Sequence, residues 1–70
     1  MDGLLLKWHM KKNGDAIVDL AKHLNVAVST LYEKLKNKKQ QFTQNEINLI
    51  TQRYKLTPDD VVKIFFNKMI

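Results

Sequence analysis

From Ile17 to Leu35 the apolar residues keep a helical period that breaks once, at Asn25, and this broken period constrains the fold more than any other feature of the chain. Ile17, Leu20, Ala21 and Leu24 recur at i, i+3, i+4 and i+7, one face of an amphipathic helix. Asn25 comes next, one of the few residues besides glycine that enters the left-handed conformation readily. Beyond it, a helix over Val28 to Lys36 brings Val28, Leu31 and Leu35 together on a 3.6-residue wheel, with Tyr32 at their edge. Ser29, Glu33 and Lys36 fall on the opposite side.

Ala21 is small where two helices must cross closely, and Val26 and Leu31 supply apolar contacts beyond the turn. An alanine, a turn residue four later, then apolar residues five and ten after the alanine is the spacing of a helix-turn-helix. The second helix must project with one face free, so the turn is tight and its contacts are small or branched.

The rest of the chain also reads as helix. Proline occurs once and glycine twice in 70 residues, so breaks are few. Leu4 to Lys12 forms a first helix, apolar on a broad face through Leu5 and Trp8, and Asn13-Gly14 stops it. Asp15 is then placed to cap the second helix. After the third comes a polar, basic loop, Asn37-Lys38-Lys39-Gln40-Gln41. Thr43-Gln44-Asn45-Glu46 has the form of a capping box and opens a fourth helix with a buried stripe of Ile47, Ile50 and Tyr54. A second box, Thr57-Pro58-Asp59-Asp60, places proline where its missing N–H costs nothing and opens a fifth helix. Its apolar positions are Val61, Val62, Ile64, Phe65, Phe66 and Met69, more than one face of a short helix needs. Some should close the core over Trp8 and Leu31, leaving the rest for a contact with a second copy. No segment alternates with period 2. The expected fold is all-α: five short helices in one domain spanning residues 1–70.

Composition narrows the function. A domain of 70 residues buries only about 60% of its unfolded surface, so its stability should be modest. Twelve Lys+Arg against seven Asp+Glu leave a net charge of +5, which attracts polyanions. With no cysteine there is no disulfide framework and no thiolate metal site, which fits an intracellular protein. The apolar runs, such as Leu4–Leu6 and Ile64–Phe66, are too short for a membrane span or a signal peptide. His9 and His23 are far apart and lack clustered carboxylates, so no metal is expected. No nucleophile has an evident base and there is no glycine-rich phosphate loop. An enzyme, a cofactor and a small-molecule ligand are therefore not expected.

The run Leu20-Ala21-Lys22-His23-Leu24-Asn25-Val26-Ala27-Val28-Ser29-Thr30-Leu31-Tyr32-Glu33-Lys34-Leu35 resembles the helix-turn-helix of phage Cro and repressor N-terminal domains, the Xre family. Phe42-Thr43-Gln44-Asn45-Glu46-Ile47 resembles the start of that family's fourth helix. The stretch from Tyr54 to Phe66 looks like the ending of small Cro-like proteins in phages of Gram-positive bacteria. The resemblance covers residues 4 to 66. It implies a compact five-helix, lambda-repressor-like DNA-binding domain whose second and third helices form the helix-turn-helix. Asn25 stands where members usually carry glycine, and Glu33 where glutamine or arginine is common.

In such a fold the start of the third helix meets base edges while flanking elements hold phosphates. The resemblance assigns Val28, Ser29, Tyr32, Glu33 and Lys36 to the groove. Valine at position 28 contacts a thymine methyl or packs inward, and Glu33 can accept a hydrogen bond from cytosine N4. Lys34, Asn37, Lys38, Lys39 and Gln40 form the expected phosphate clamp, assisted by Thr30 and Thr43. The helix starts at Asp15–Ala16 and Thr43–Gln44 offer backbone N–H groups to phosphate. The implied function is that of a sequence-specific transcriptional regulator, a Cro-like repressor of a phage or mobile element acting in the bacterial cytoplasm or nucleoid. Its partners would be double-stranded DNA with a palindromic operator and a second copy, paired on the DNA. Two alternatives stand beside it: the same fold binding a repressor or polymerase as an antirepressor, and an antitoxin-type DNA-binding protein.

Overall fold

The computed structural model describes residues 2–36 and 42–66. Five helices carry them: α1 (Gly3–Lys12), α2 (Ile17–Leu24), α3 (Val28–Lys36), α4 (Gln44–Tyr54) and α5 (Pro58–Phe65). There is no strand among the described residues. The radius of gyration, 11.1 Å, is that of a folded domain of this length, roughly 11 Å.

The helix ends follow from short-range chemistry. The Asp2 side chain caps α1 by accepting from the Leu5 N–H at 3.0 Å. At the other end Asn13 Nδ2 donates to the His9 carbonyl at 2.7 Å, and Gly14 turns the chain at φ 68°. Asn25 is left-handed, φ 58° and ψ 44°. It lets the Val26 N–H reach back to the Ala21 carbonyl at 3.0 Å, the six-residue closure of a Schellman end. Lys55 ends α4 in the same way (φ 51°), with Leu56 N–H bonded to the Thr51 carbonyl at 3.0 Å. Both threonine boxes form. Glu46 N–H donates to Thr43 Oγ1 at 3.1 Å while Thr43 N–H donates to Glu46 Oε1 at 2.8 Å. Thr57 and Asp60 do the same at 3.1 Å in each direction.

One core joins all five helices. Leu6, Leu20, Leu31, Ile50 and Ile64 are fully buried, one from each helix. Met10, Ala21, Leu24, Phe42, Ile47, Tyr54 and Leu56 complete it. Ala21, 1% exposed, lets α2 and α3 approach where a larger side chain would hold them apart.

Two expectations are corrected. Trp8 is not a core residue: it is 54% exposed, and Leu6, His9 and Met10 take the inner side of α1. Residues 4 and 8 lie roughly opposite residues 6 and 10 on a helix, so once Leu6 and Met10 turn inward, Leu4 and Trp8 must turn out. Trp8 keeps local company instead, with Lys12 Nζ 5.2 Å from its ring centroid and the His9 ring edge-on at 4.8 Å. Nor does Asp15 cap α2. The cap position is Ala16, whose N–H donates to Asp19 Oδ2 at 2.9 Å. The Asp15 carboxylate is drawn to stronger donors on α4: Arg53 Nε at 2.7 Å, the Arg53 terminal nitrogen at 2.8 Å and the Tyr54 hydroxyl at 2.6 Å.

α5 and its C-terminal cap, Phe66, divide their apolar residues. Ile64 is buried, Val61 and Phe65 pack against the core, and Val62 and Phe66 face outward. The Phe65 ring meets Phe42 edge-on at 5.8 Å. Met69 lies outside the described residues.

Candidate functional site

α3 is held from one side only. Leu31 is fully buried, and Val28 and Leu35 rest partly buried against the core. Gly3 supports the far end of the helix. A Cβ on Gly3 would lie 2.8 Å from the Leu35 carbonyl oxygen, so only glycine lets α1 begin this close to α3. No sequence signal marked this residue, because the contact joins positions distant in the chain.

The opposite side of α3 is open. Ser29, Thr30, Tyr32, Glu33 and Lys36 are all exposed. Ser29, Glu33 and Lys36 run along the outward stripe at i, i+4 and i+7, with Thr30 on one flank and Tyr32 on the other. Tyr32 is 42% exposed. Lys36 Nζ sits 5.9 Å from the Tyr32 ring centroid, a cation–π geometry that uses the ammonium within the face. The face thus offers hydroxyl, phenol, carboxylate and ammonium, donors and acceptors mixed over two turns.

The structure sorts the residues singled out by sequence. Four of the five residues expected in the groove share this stripe or its Tyr32 flank; Val28 does not, because its side chain packs inward against the core. Thr30 joins the face from its other flank. Lys34 is not a free cation for a phosphate clamp. Its Nζ lies 2.7 Å from Glu46 Oε1, with only 14% of its side chain exposed, and 5.6 Å from the Phe42 ring centroid. The reason is position: residue 34 falls on the flank of α3 that faces the start of α4. Thr43 is exposed but its N–H and hydroxyl are engaged with Glu46. Asn37, Lys38, Lys39 and Gln40 lie outside the described residues.

The start of α2 does not suit an anion. The Ala16 N–H is taken by Asp19, and two carboxylates, Asp15 and Asp19, stand at that end. At α4 the Glu46 carboxylate occupies the Thr43 N–H in the same manner.

Two acidic residues therefore do more than sequence indicated. Asp15 has its carboxyl held below the ordinary range, chiefly by the Arg53 hydrogen bonds, which outweigh the opposing effect of burial, with Tyr54 adding to them. Burial, and then the bond to Asp15, push the Tyr54 hydroxyl up. Glu46 is raised by burial, but its bonds to Lys34 and Thr43 prevail and leave it below its ordinary value. Neither partner could be read locally, since Asp15 pairs with residues 38 and 39 positions away and Glu46 with one 12 away.

No family model, curated protein or solved structure matches this chain.

Proposed function

We propose that the protein is a sequence-specific DNA-binding regulator, a Cro-like repressor, in which α2 and α3 form a helix-turn-helix and α3 enters the major groove. The observation that carries this is the division of α3: its inner side is fixed by Leu31, Leu35 and Lys34 while its outer side is polar and uncovered. A stripe from Ser29 to Lys36 is about 10 Å long, at 1.5 Å per residue, and B-DNA's major groove is about 12 Å wide and admits a helix. Ser29, Tyr32, Glu33 and Lys36 then meet base edges, with Thr30 toward the backbone. Asn37, Lys38, Lys39 and Gln40 follow directly in sequence and supply phosphate contacts, in keeping with a net charge of +5. Val62 on α5 and Phe66 at its C-terminal cap, both facing outward, give a second copy an apolar contact when two copies occupy a palindromic operator. Such a protein is a binding module rather than an enzyme, and acts by occupying its site.

The test is a gel shift with duplex DNA from the promoter region flanking its own gene, across a salt series. Binding should weaken steeply as salt rises. Lys38→Ala should lower affinity for all sequences alike and flatten the slope of log K against log salt by about one unit. An unchanged slope removes Lys38 from the clamp, and no shift at low salt removes the function.

A second reading, in which the same fold binds another protein as an antirepressor would, has one observation in its favour. Leu4, 79% exposed, and Trp8 stand together on the outer side of α1.

A further inference from the structure

The chain has seven Asp and Glu side chains, and six of them are engaged by partners among the described residues. Asp2 caps α1, Asp19 and Asp60 accept from the backbone at the starts of α2 and α5, and Asp59 pairs with Lys63 at 3.0 Å. Asp15 binds Arg53 and Tyr54, and Glu46 binds Lys34 and Thr43. Glu33 alone makes no side-chain hydrogen bond or ion pair among the described residues, and it lies between Ser29 and Lys36 on the outward stripe of α3. Its obvious local partner is Lys36, three residues on, yet the Lys36 ammonium leans over the Tyr32 ring.

A carboxylate on the outward face of α3 repels any polyanion brought to that face. DNA carries one negative charge per about 1.7 Å of helix axis, so Glu33 costs affinity wherever the floor of the groove gives it no donor. The cost disappears where the groove supplies an amino group. In the major groove cytosine presents its N4 donor, whereas guanine presents N7 and O6, both acceptors, and thymine an acceptor and a methyl. Adenine has an N6 donor, but its N7 acceptor stands beside it and opposes a carboxylate. A carboxamide has the reverse preference, since it pairs with adenine N6 and N7 together.

We propose, resting on the DNA-binding reading above, that Glu33 is a specificity-determining residue that selects a cytosine in each half-site by rejecting the other bases. It differs from an ordinary contact residue in the sign of its effect on unselected DNA. Removing it raises affinity for random sequence while lowering discrimination.

The experiment is selection from a randomised duplex pool by the wild-type protein, Glu33→Gln and Glu33→Ala, with the affinity of each for the unselected pool measured at low salt. Glu33 is exposed, so both variants should fold, and thermal melts by circular dichroism check that they do. The wild type should enrich sites with cytosine at one position of each half-site, by about tenfold or more over other bases. Glu33→Gln should exchange that cytosine for adenine and Glu33→Ala should lose preference there, with the other positions unchanged. Both variants should bind the unselected pool several-fold more tightly than the wild type. Retention of the same cytosine by both variants overturns the proposal, as does unaltered or weaker binding to the pool. A wild type that binds the pool without preference at any position overturns it while leaving DNA binding intact. A wild type that binds no duplex overturns the DNA-binding reading with it.

Discussion

α4 is fastened at both ends, and the two fastenings differ in kind. At its last turn Arg53 and Tyr54 give three donors to the Asp15 carboxylate, which stands in the connection between α1 and α2. At its first turn Glu46 accepts one hydrogen bond from the Lys34 ammonium of α3 and otherwise serves its own cap. A planar guanidinium with two parallel bonds fixes orientation as well as distance, whereas an ammonium on a four-carbon stem fixes distance alone. The first joint therefore sets where α2 begins and acts as a foundation. The second ties α3 to the start of α4 through a single bond. The same helix carries both, so α4 works as a brace behind the pair α2–α3.

The contrast is broken most directly at Asp15. Asp15→Ala releases the exposed Arg53 guanidinium to water and leaves the phenol of buried Tyr54 without its acceptor, and should lower unfolding free energy by about 1–3 kcal/mol. Urea melts measure this, and a loss near zero would deny the joint its structural role. Glu46→Ala removes the single ion pair and one half of the cap together, at about 1–2 kcal/mol. Glu46→Gln sharpens the comparison, because glutamine still completes a capping box. It should therefore lose under about 1 kcal/mol. If Glu46→Gln proves as damaging as Glu46→Ala, the ion pair rather than the cap carries that end of α4.

The smallest expected effect is on pH. Asp15 and Glu46 both have folded values below their ordinary 3.8 and 4.5. A depressed carboxyl contributes stability that is complete above its unfolded value and is lost as pH falls through its folded one. The urea midpoint should hold steady down to about pH 5 and then fall toward pH 3, approximately over the range where carboxyls titrate. Asp15→Asn and Glu46→Gln should each flatten that acid limb. An acid limb that neither variant changes would place the sensitive groups elsewhere.

What the sequence revealed and what it hid divide by range along the chain. Thr43 with Glu46, Thr57 with Asp60, and Asn25 with its neighbours are bonds within five residues, and each can be read from residue type alone. So can the burial of Ile47, Ile50 and Tyr54, which a single helical period sets. Lys34 and Asp15 were misread because their partners stand far off in the chain. A lysine beside a basic loop looks like a free cation until Glu46 is folded against it, and an aspartate before a helix looks like a cap until Arg53 arrives. Trp8 was misread for another reason. Leu4, Leu5 and Leu6 are consecutive, so α1 has apolar residues on every side and its period does not say which side faces in. On α3 the stripe of Ser29, Glu33 and Lys36 was legible, and so was the ambiguity at Val28, which packing resolves inward.

The seat of α3 on Gly3 has a consequence for how such a protein could change over time. The contact is made with the Leu35 carbonyl, and a carbonyl is the same atom whatever side chain its residue bears. The other supports of α3 are Leu31, Leu35, Val28 and Lys34, all on its inner side or flank. Among the described residues, none of Ser29, Thr30, Tyr32, Glu33 or Lys36 belongs to the core or to an ion pair. Ser29, Thr30, Glu33 and Lys36 are free to be rewritten without repacking the core, so the chain separates inheritance of its shape from inheritance of whatever that face meets.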